Sequence, residues 1–373
     1  MKDTVIKGNG KSRSVKAPTD MPATFEEWRT QLLAGTATLD IGLNAAGCDV
    51  VGTAMSKANL LSDTTKSALE LSGSDPTVND ALYALSQKTQ PAVLNVTTNA
   101  GVVVTATKGS KVLSATADSS GLAVLYPDEF GTWTLKATIS GKSLEVPFEI
   151  DAIAVFNTSL TTDLEAAPWG LISAVAEAGN AASIWSVGAT KTINLNGVSY
   201  TAQIIGFNHD TKTAGGKAGI TFQLVDCLNT TYQMNSSGTN VGGWKSSAMR
   251  SRMSEFFGQL DEDLQSVIKP VNKLVSVGNN SSTIETVSDK LFLLSEIEIF
   301  GSRSYSFAGE GSQYDWYKAG NTKVKKVNGS AGYWWGRSPY SGNANDFCYV
   351  NSNGNANGSN ASNSYGVSFG FCV

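Results

Sequence analysis

A chain of 373 residues is longer than one ordinary hydrophobic core supports and points to two or three domains. Hydrophobic content of 41% suffices for packed cores, while 16% charged residues and 37 glycines favour β-structure and turns over long surface helices. A net charge of -4 excludes a basic field that would hold nucleic acid, and no run nears the ~20 apolar residues that span a bilayer, so no membrane insertion is expected.

The start, Met1-Lys2-Asp3-Thr4, lacks the apolar segment of a signal peptide, which predicts a soluble protein made in a cytoplasm. Residues 1–20 are polar and without periodicity, and read as an arm that orders only against a partner. Gly8-Asn9-Gly10-Lys11-Ser12 ends like a phosphate-binding loop, but the first glycine of that motif would fall at Val5, and no strand has room to precede it. From 21 to 89 the signals are those of short helices. Thr24 and Glu27 form a capping box ahead of Trp28, Leu32 and Leu33, Asp63 caps a run through Leu69 and Leu71, and Thr77 with Asp80 caps a third. Helices this short do not hold themselves in water, so the segment is expected to pack on another chain or a larger assembly.

From 90 to 154 the period changes to two. Val93 to Val96, Val102 to Thr105, Leu122 to Leu125 and Trp133 to Lys136 are separated by Gly and Asn turns, the pattern of a small all-β sandwich. This stretch resembles the immunoglobulin-like modules that bacterial and phage surface proteins use as spacers. From 156 onward the elements mix. A helix is predicted from Asp163 through Leu171, Ile172 and Val175 to Gly179. A hairpin then turns at Asn196-Gly197 and brings Thr192–Leu195 onto Tyr200–Phe207. There follow a strand at Ile220–Val225, a helix from Ser246 to Leu260 with Met249, Met253, Phe256 and Phe257 in the core, and strands at Val271–Val275 and Leu291–Leu294. The sum is an α+β pattern with long irregular segments.

The most informative stretch is the last. From Ser338 to Val373 there are 8 Asn, 7 Ser, 5 Gly and 6 aromatic residues, and Asp346 is the only charge. Low-complexity disorder is the bland reading, but Val367, Phe369, Phe371 and Val373 alternate with Ser368, Gly370 and Cys372 as a half-buried strand does. Tyrosine offers contact area at low rotamer entropy and Asn and Ser offer adaptable hydrogen bonds, so this composition suits a recognition surface for saccharide or protein. Between Gly336 and Val373 there is also no Trp, Met, Lys, Glu or Gln, the residues that a codon ending in a pyrimidine cannot encode. Asn codons randomised only at adenines produce such a set, as does ordinary compositional bias.

Tyr333-Trp334-Trp335-Gly336-Arg337-Ser338-Pro339, the Asn-rich stretch after it, and Ser364 to Phe371 resemble the closing motif of C-type-lectin-fold proteins diversified by retroelements in phages and gut bacteria. The usual motif has leucine where Gly336 stands, a departure expected to loosen local packing without removing Trp335 and Arg337. Tyr200–Asp210 and Lys290–Glu296 also look like that domain, so the resemblance spans 167–373. Gly8–Arg13 and Lys57–Asp63 are similar to segments of phage tail appendage proteins.

The resemblance implies a multi-domain protein: a helical N-terminal attachment region, an immunoglobulin-like sandwich and an α+β C-type-lectin-like domain at 156–373 with a variable region at about 336–361. It implies a phage tail fibre or adhesin-type protein, located on the virion tail, that binds a bacterial cell-surface receptor. Tail or baseplate proteins would contact its N-terminal region, and a homotrimer is the implied oligomer. Mapped by alternation, Cys348, Val350 and Ala356 face inward while Tyr349, Asn351, Asn355 and Asn357 face out. Tyr340, Asn343, Asn345, Asp346, Asn353 and Ser359 are loop candidates for ligand contact, and Phe347 is undecided.

Three rivals stand beside this reading. The formylglycine-generating oxidases share the fold family and resemble redox proteins with a working cysteine pair, for which only Cys348 and Cys372 qualify. The four cysteines show no CxxC spacing and read as buried thiols, although Cys348 and Cys372 are free to meet on neighbouring strands. His209 is the one histidine and reads as a solvated turn residue, so no catalytic residue, metal or cofactor is expected. Calcium-dependent sugar binding needs clustered carboxylates that the terminal segment lacks. The third rival is a structural tail or adhesin spacer whose Asn-rich surface is merely soluble.

Overall fold

The structure is a computed structural model that describes residues 92–373 together with strands at 5–8 and 11–14. The helices expected between Thr24 and Ser86, and the attachment surface expected there, lie outside the described residues. The chain divides into two units, Met1–Lys88 and Thr89–Val373. In the first, β1 (Val5–Gly8) pairs antiparallel with β2 (Lys11–Ser14), with Gly8 opposite Lys11, within the stretch expected to be an arm.

The second unit is mostly β-structure arranged in several sheets. Seven strands come first: β3 (Val93–Thr97), β4 (Val103–Lys108), β5 (Lys111–Thr116), β6 (Leu122–Leu125), β7 (Gly131–Ile139), β8 (Lys142–Ile150) and β9 (Val155–Ser159). They form two sheets, β6-β3-β9 and β5-β4-β7-β8. Strand β7 shows why they pack: Trp133, Leu135, Ala137 and Ile139 are buried while Lys136 and Thr138 between them are exposed. Ser140 and Gly141, both at positive φ, close the two-residue turn from β7 into β8. Strand β9 runs parallel to β3.

Helix α1 (Trp169–Glu177) begins later than the expected Asp163. Pro168 supplies no amide and keeps its predecessor out of the helical region, and the Asp163 carboxylate accepts the Glu165 amide in a turn. After α2 (Ala181–Ile184) comes the hairpin of β10 (Thr190–Leu195) and β11 (Val198–Phe207), joined by Asn196 at φ 50 and Gly197 at φ 76. Next are β12 (Thr211–Lys212), β13 (Ile220–Leu224), β14 (Tyr232–Gln233), α3 (Ala248–Phe257) and α4 (Glu262–Val267). The helix expected from Ser246 is capped one residue later, where the Ser247 hydroxyl accepts the Arg250 amide. Met249, Met253 and Phe256 are buried, but Phe257, expected in the core, is half-buried.

The remaining elements are β15 (Val271–Ser276), β16 (Ile284–Asp289), β17 (Leu291–Phe292), α5 (Glu296–Phe300), α6 (Asp315–Lys318), β18 (Lys325–Val327), β19 (Ser330–Gly332), β20 (Trp334–Pro339), β21 (Asp346–Val350), β22 (Ala356–Asn360), β23 (Ser364–Tyr365) and β24 (Gly370–Cys372). The largest sheet has the order β10-β11-β13-β24-β17, so the last strand of the chain is interior to it. Gly366 to Val373 are all buried, not the half-buried alternation expected. One face packs Phe371 on Phe222 at 5.2 Å and near Trp169 at 6.0 Å. On the other, Ser368 and Cys372 find polar partners in the Leu224 carbonyl and the Thr221 hydroxyl.

Candidate functional site

The Asn-rich segment runs through the three-stranded sheet β20-β21-β22. In its register Trp335 lies opposite Tyr349, which lies opposite Asn357, and Phe347 lies opposite Ser359. Paired residues share a face, so Trp335, Tyr349 and Asn357 form one row. The alternate residues Cys348 and Val350 are buried, whereas Ala356 is half-buried. Phe347 is fully buried even though it shares the face of Tyr349.

What holds the segment is a set of buried polar groups at its margins. Arg337 is wholly buried, donates in a fork to the Glu298 carboxylate, and also donates to the carbonyls of Leu293, Leu274 and Glu310. Lys273 bridges Glu298 at 2.6 Å and Asp210 at 2.7 Å, and Asp210 accepts from Thr221 and Tyr314. Burial works against ionisation throughout. For Asp210 the Lys273 ammonium outweighs it and holds the carboxyl well below its ordinary range, and for Glu298 the cations of Arg337 and Lys273 outweigh it and lower the carboxyl from its ordinary value. Burial pushes Glu310 the other way, up from its ordinary value.

Two further anchors reach the exposed loops. The Glu296 carboxylate accepts the backbone amides of Ser304, Tyr305 and Ser306, and the Tyr305 ring lies 5.7 Å from that of Tyr340. Asn240, fully buried, donates its side-chain amide to the carbonyls of Tyr340, Asn343 and Asp346 and so clamps the loop between β20 and β21. Nothing in the linear sequence marks Asn240, because its partners lie up to 106 residues away, and Glu296 was visible only as the end of the Lys290–Glu296 segment.

The ten expected contact residues divide by what their side chains already do. The Asn343 amide oxygen accepts the amides of Asn345 and Asp346, and its nitrogen donates to the Asp346 carboxylate. Asn351 likewise accepts from the amides of Asn353 and Asn355, and Asn357 from the amide of Gly358. Ser359 bonds the Tyr365 hydroxyl at 2.8 Å and accepts from Asn363. Asn345, Asn353 and Asn355 are exposed, while Tyr340 and Tyr349 are half-buried.

Tyr349 does not stand alone. Its ring centroid is 4.9 Å from that of Tyr365 and 5.4 Å from that of Tyr333, and Trp335 packs 4.7 Å from Tyr365. Tyr333 is 44% exposed, so the cluster presents aromatic surface beside the free amides of the β21–β22 loop. Tyr232 pairs with Tyr365 across β14 and β23 and carries the Arg252 guanidinium 4.8 Å from its ring. Sequence reasoning did not mark Tyr333, Tyr365, Tyr232 or Arg252 as contact residues.

Cys348 and Cys372 are free, buried and in different sheets, so they do not meet. Burial raises both thiols well above their ordinary value, and pushes the Cys227 thiol up to about 12. The His209 ring packs 4.0 Å from the Tyr314 ring, and its Nε2 lies 3.1 Å from the Ser312 carbonyl. Among the described residues no group of three or more His, Cys, Asp or Glu is placed to hold a metal ion.

The sequence pattern of a family described as Domain of unknown function (DUF6273) matches residues 218–373, the part that contains this sheet and its anchors. No curated protein and no solved structure matches the chain.

Proposed function

We propose that this chain is a receptor-binding protein of a phage tail, built from an immunoglobulin-like spacer and a C-type-lectin-like domain whose segment 336–361 is a diversified surface that contacts a bacterial cell-surface receptor. The observation that carries the reading is a contrast within one short stretch. Trp334 to Pro339 and Gly366 to Val373 are buried without exception, whereas the residues between them are mostly half-buried or exposed, nearly uncharged, and rich in Tyr, Asn and Ser. A fixed frame around a replaceable face is what a display scaffold requires. The proposal includes attachment to tail or baseplate proteins through the N-terminal region and a trimeric assembly, both carried by the resemblance of the sequence.

Substitution of Tyr349, Asn353 and Asn355 together by alanine tests it, since none of these side chains is needed to close a loop. Adsorption to host cells, or binding to the isolated receptor, is expected to fall at least about tenfold, the size of one lost central aromatic contact, with unchanged circular dichroism. Undiminished adsorption by the folded variant rejects the receptor reading. The diversification claim has its own check: a second DNA copy of the codons for 336–359 that differs only at adenines, beside a reverse-transcriptase gene.

A further inference from the structure

A cleft of about 430 Å³ lies between α3 and the β16–β17 region, and it shares no lining residue with the tyrosine face. Its apolar floor is Met253, Phe257 and Leu291, and its walls carry Lys245, Arg250 and Lys290. Asp289 is the one carboxylate in the lining, and each of its oxygens is engaged: it accepts the Trp244 indole N–H at 2.8 Å and Arg250 Nε at 2.7 Å. Glu285 sits outside the lining on Lys245 at 2.6 Å. Three cations thus face two carboxylates, which leaves the wall net positive.

Arg250 is held in place by Asp289 and by the carbonyls of Lys245 and Ser288, and a guanidinium so engaged keeps N–H groups to spare. The Lys290 ammonium lies over the Phe257 ring at 4.1 Å and has no carboxylate within ion-pair distance among the described residues. On the exposed face of α3, the hydroxyls of Ser251 and Ser254 line the same cleft with no partner among the described residues. Oriented cations and hydroxyls without partners, in a volume suited to a small ligand, match an anionic ligand that also carries hydroxyl groups.

We propose that this cleft binds an acidic sugar, a pyranose bearing a carboxylate or phosphate, with Arg250 and Lys290 on the anion and Ser251 and Ser254 on ring hydroxyls. The test is a titration of the full chain with glucuronate, glucose 6-phosphate and glucose at low ionic strength, followed by calorimetry or amide chemical shifts. Saturable binding of at least one acidic sugar, at least about fivefold tighter than glucose and weakened by added salt, is expected. Lys290→Gln is expected to weaken binding about fivefold or more, and Ser254→Phe, which fills the cleft without touching an ion pair, to abolish it in a protein with unchanged melting temperature. The site is overturned if neither acidic sugar binds, if glucose binds equally well, or if Ser254→Phe binds as the parent does. Inorganic phosphate serves as a further probe; saturation by phosphate with no gain from the sugar ring also overturns it.

Discussion

Arg337 shows how far one side chain determines the placement of the Asn-rich segment. Its fork binds Glu298, Glu298 in turn binds Lys273, and Lys273 binds Asp210, so a chain of opposite charges runs from β20 into the core. Removing one partner of a buried pair leaves its counterpart uncompensated, so Arg337→Met is expected to lower unfolding free energy by about 3–5 kcal/mol, read by urea denaturation. Arg337 was legible as part of a recurring motif, but its role was not, because Glu298 and Lys273 are remote in sequence. Lys325 is a second buried cation whose setting only the fold reveals. In the fold its ammonium is buried against the carbonyls of Leu224 and Val225, and burial lowers its pKa to about 8. Between pH 8 and 10.5 the unfolded chain therefore binds the proton that the folded chain has released, and stability attributable to this group rises with pH. Wild type is expected to gain up to about 3 kcal/mol over that window relative to Lys325→Met, measured as the difference between two urea series. An equal pH dependence in the two proteins rejects the assignment.

The elements that the sequence announced are those whose signal is local. Asn196-Gly197 sets the turn between β10 and β11 because both residues adopt positive φ, and β7 declares itself by strict alternation. Where tertiary partners decide, the sequence was silent or misleading: Pro168 delays α1, and the final strand, edged by β13 and β17, is also covered on its faces, by Trp169 against Phe371 on one and by polar partners of Cys372 and Ser368 on the other. The Asn-rich loops belong to an intermediate case. Their asparagines were legible as surface residues, yet Asn343 and Asn351 spend their amide oxygens closing their own loops. Asn351→Ala is accordingly expected to cost about 1 kcal/mol and to speed hydrogen exchange at the amides of Asn353 and Asn355, while Asn353→Ala changes neither. Equal exchange rates in Asn351→Ala and wild type would show that the turn is held by other contacts. The same division explains why the row of Tyr333, Tyr349 and Tyr365 was only one-third visible: Tyr349 sits in the Asn-rich strand, and the other two reach it from flanking segments.

Across the second unit, these constraints map onto a gradient of tolerance along the last forty residues. At either end the chain has no freedom. Gly336 is buried with a carbonyl oxygen of Leu294 3.1 Å from where a Cβ would stand, and Gly370 meets the Phe222 carbonyl at 3.0 Å in the same sense. Phe369, Phe371, Cys372 and Val373 are buried to 1% or less, so deletion of Gly370–Val373 removes the strand that joins β13 to β17. In the middle, the side chains of Asn345, Asn353 and Asn355 accept no backbone amide among the described residues. If the segment displays a replaceable surface, the physics predicts where replacement is allowed, independently of any ligand. A library randomising one position at a time from Trp334 to Val373, sorted for folded protein by protease resistance, is expected to enrich broad residue sets at 345, 353 and 355. It is expected to reject nearly all substitutions at Trp334, Arg337, Ser338, Phe369 and Phe371, with positions 343 and 351 between the two. A flat profile, equally permissive at both ends and in the middle, would contradict the frame-and-face arrangement from which the receptor proposal is drawn, while the intended profile combined with no adsorption would leave the scaffold standing and reject the receptor alone.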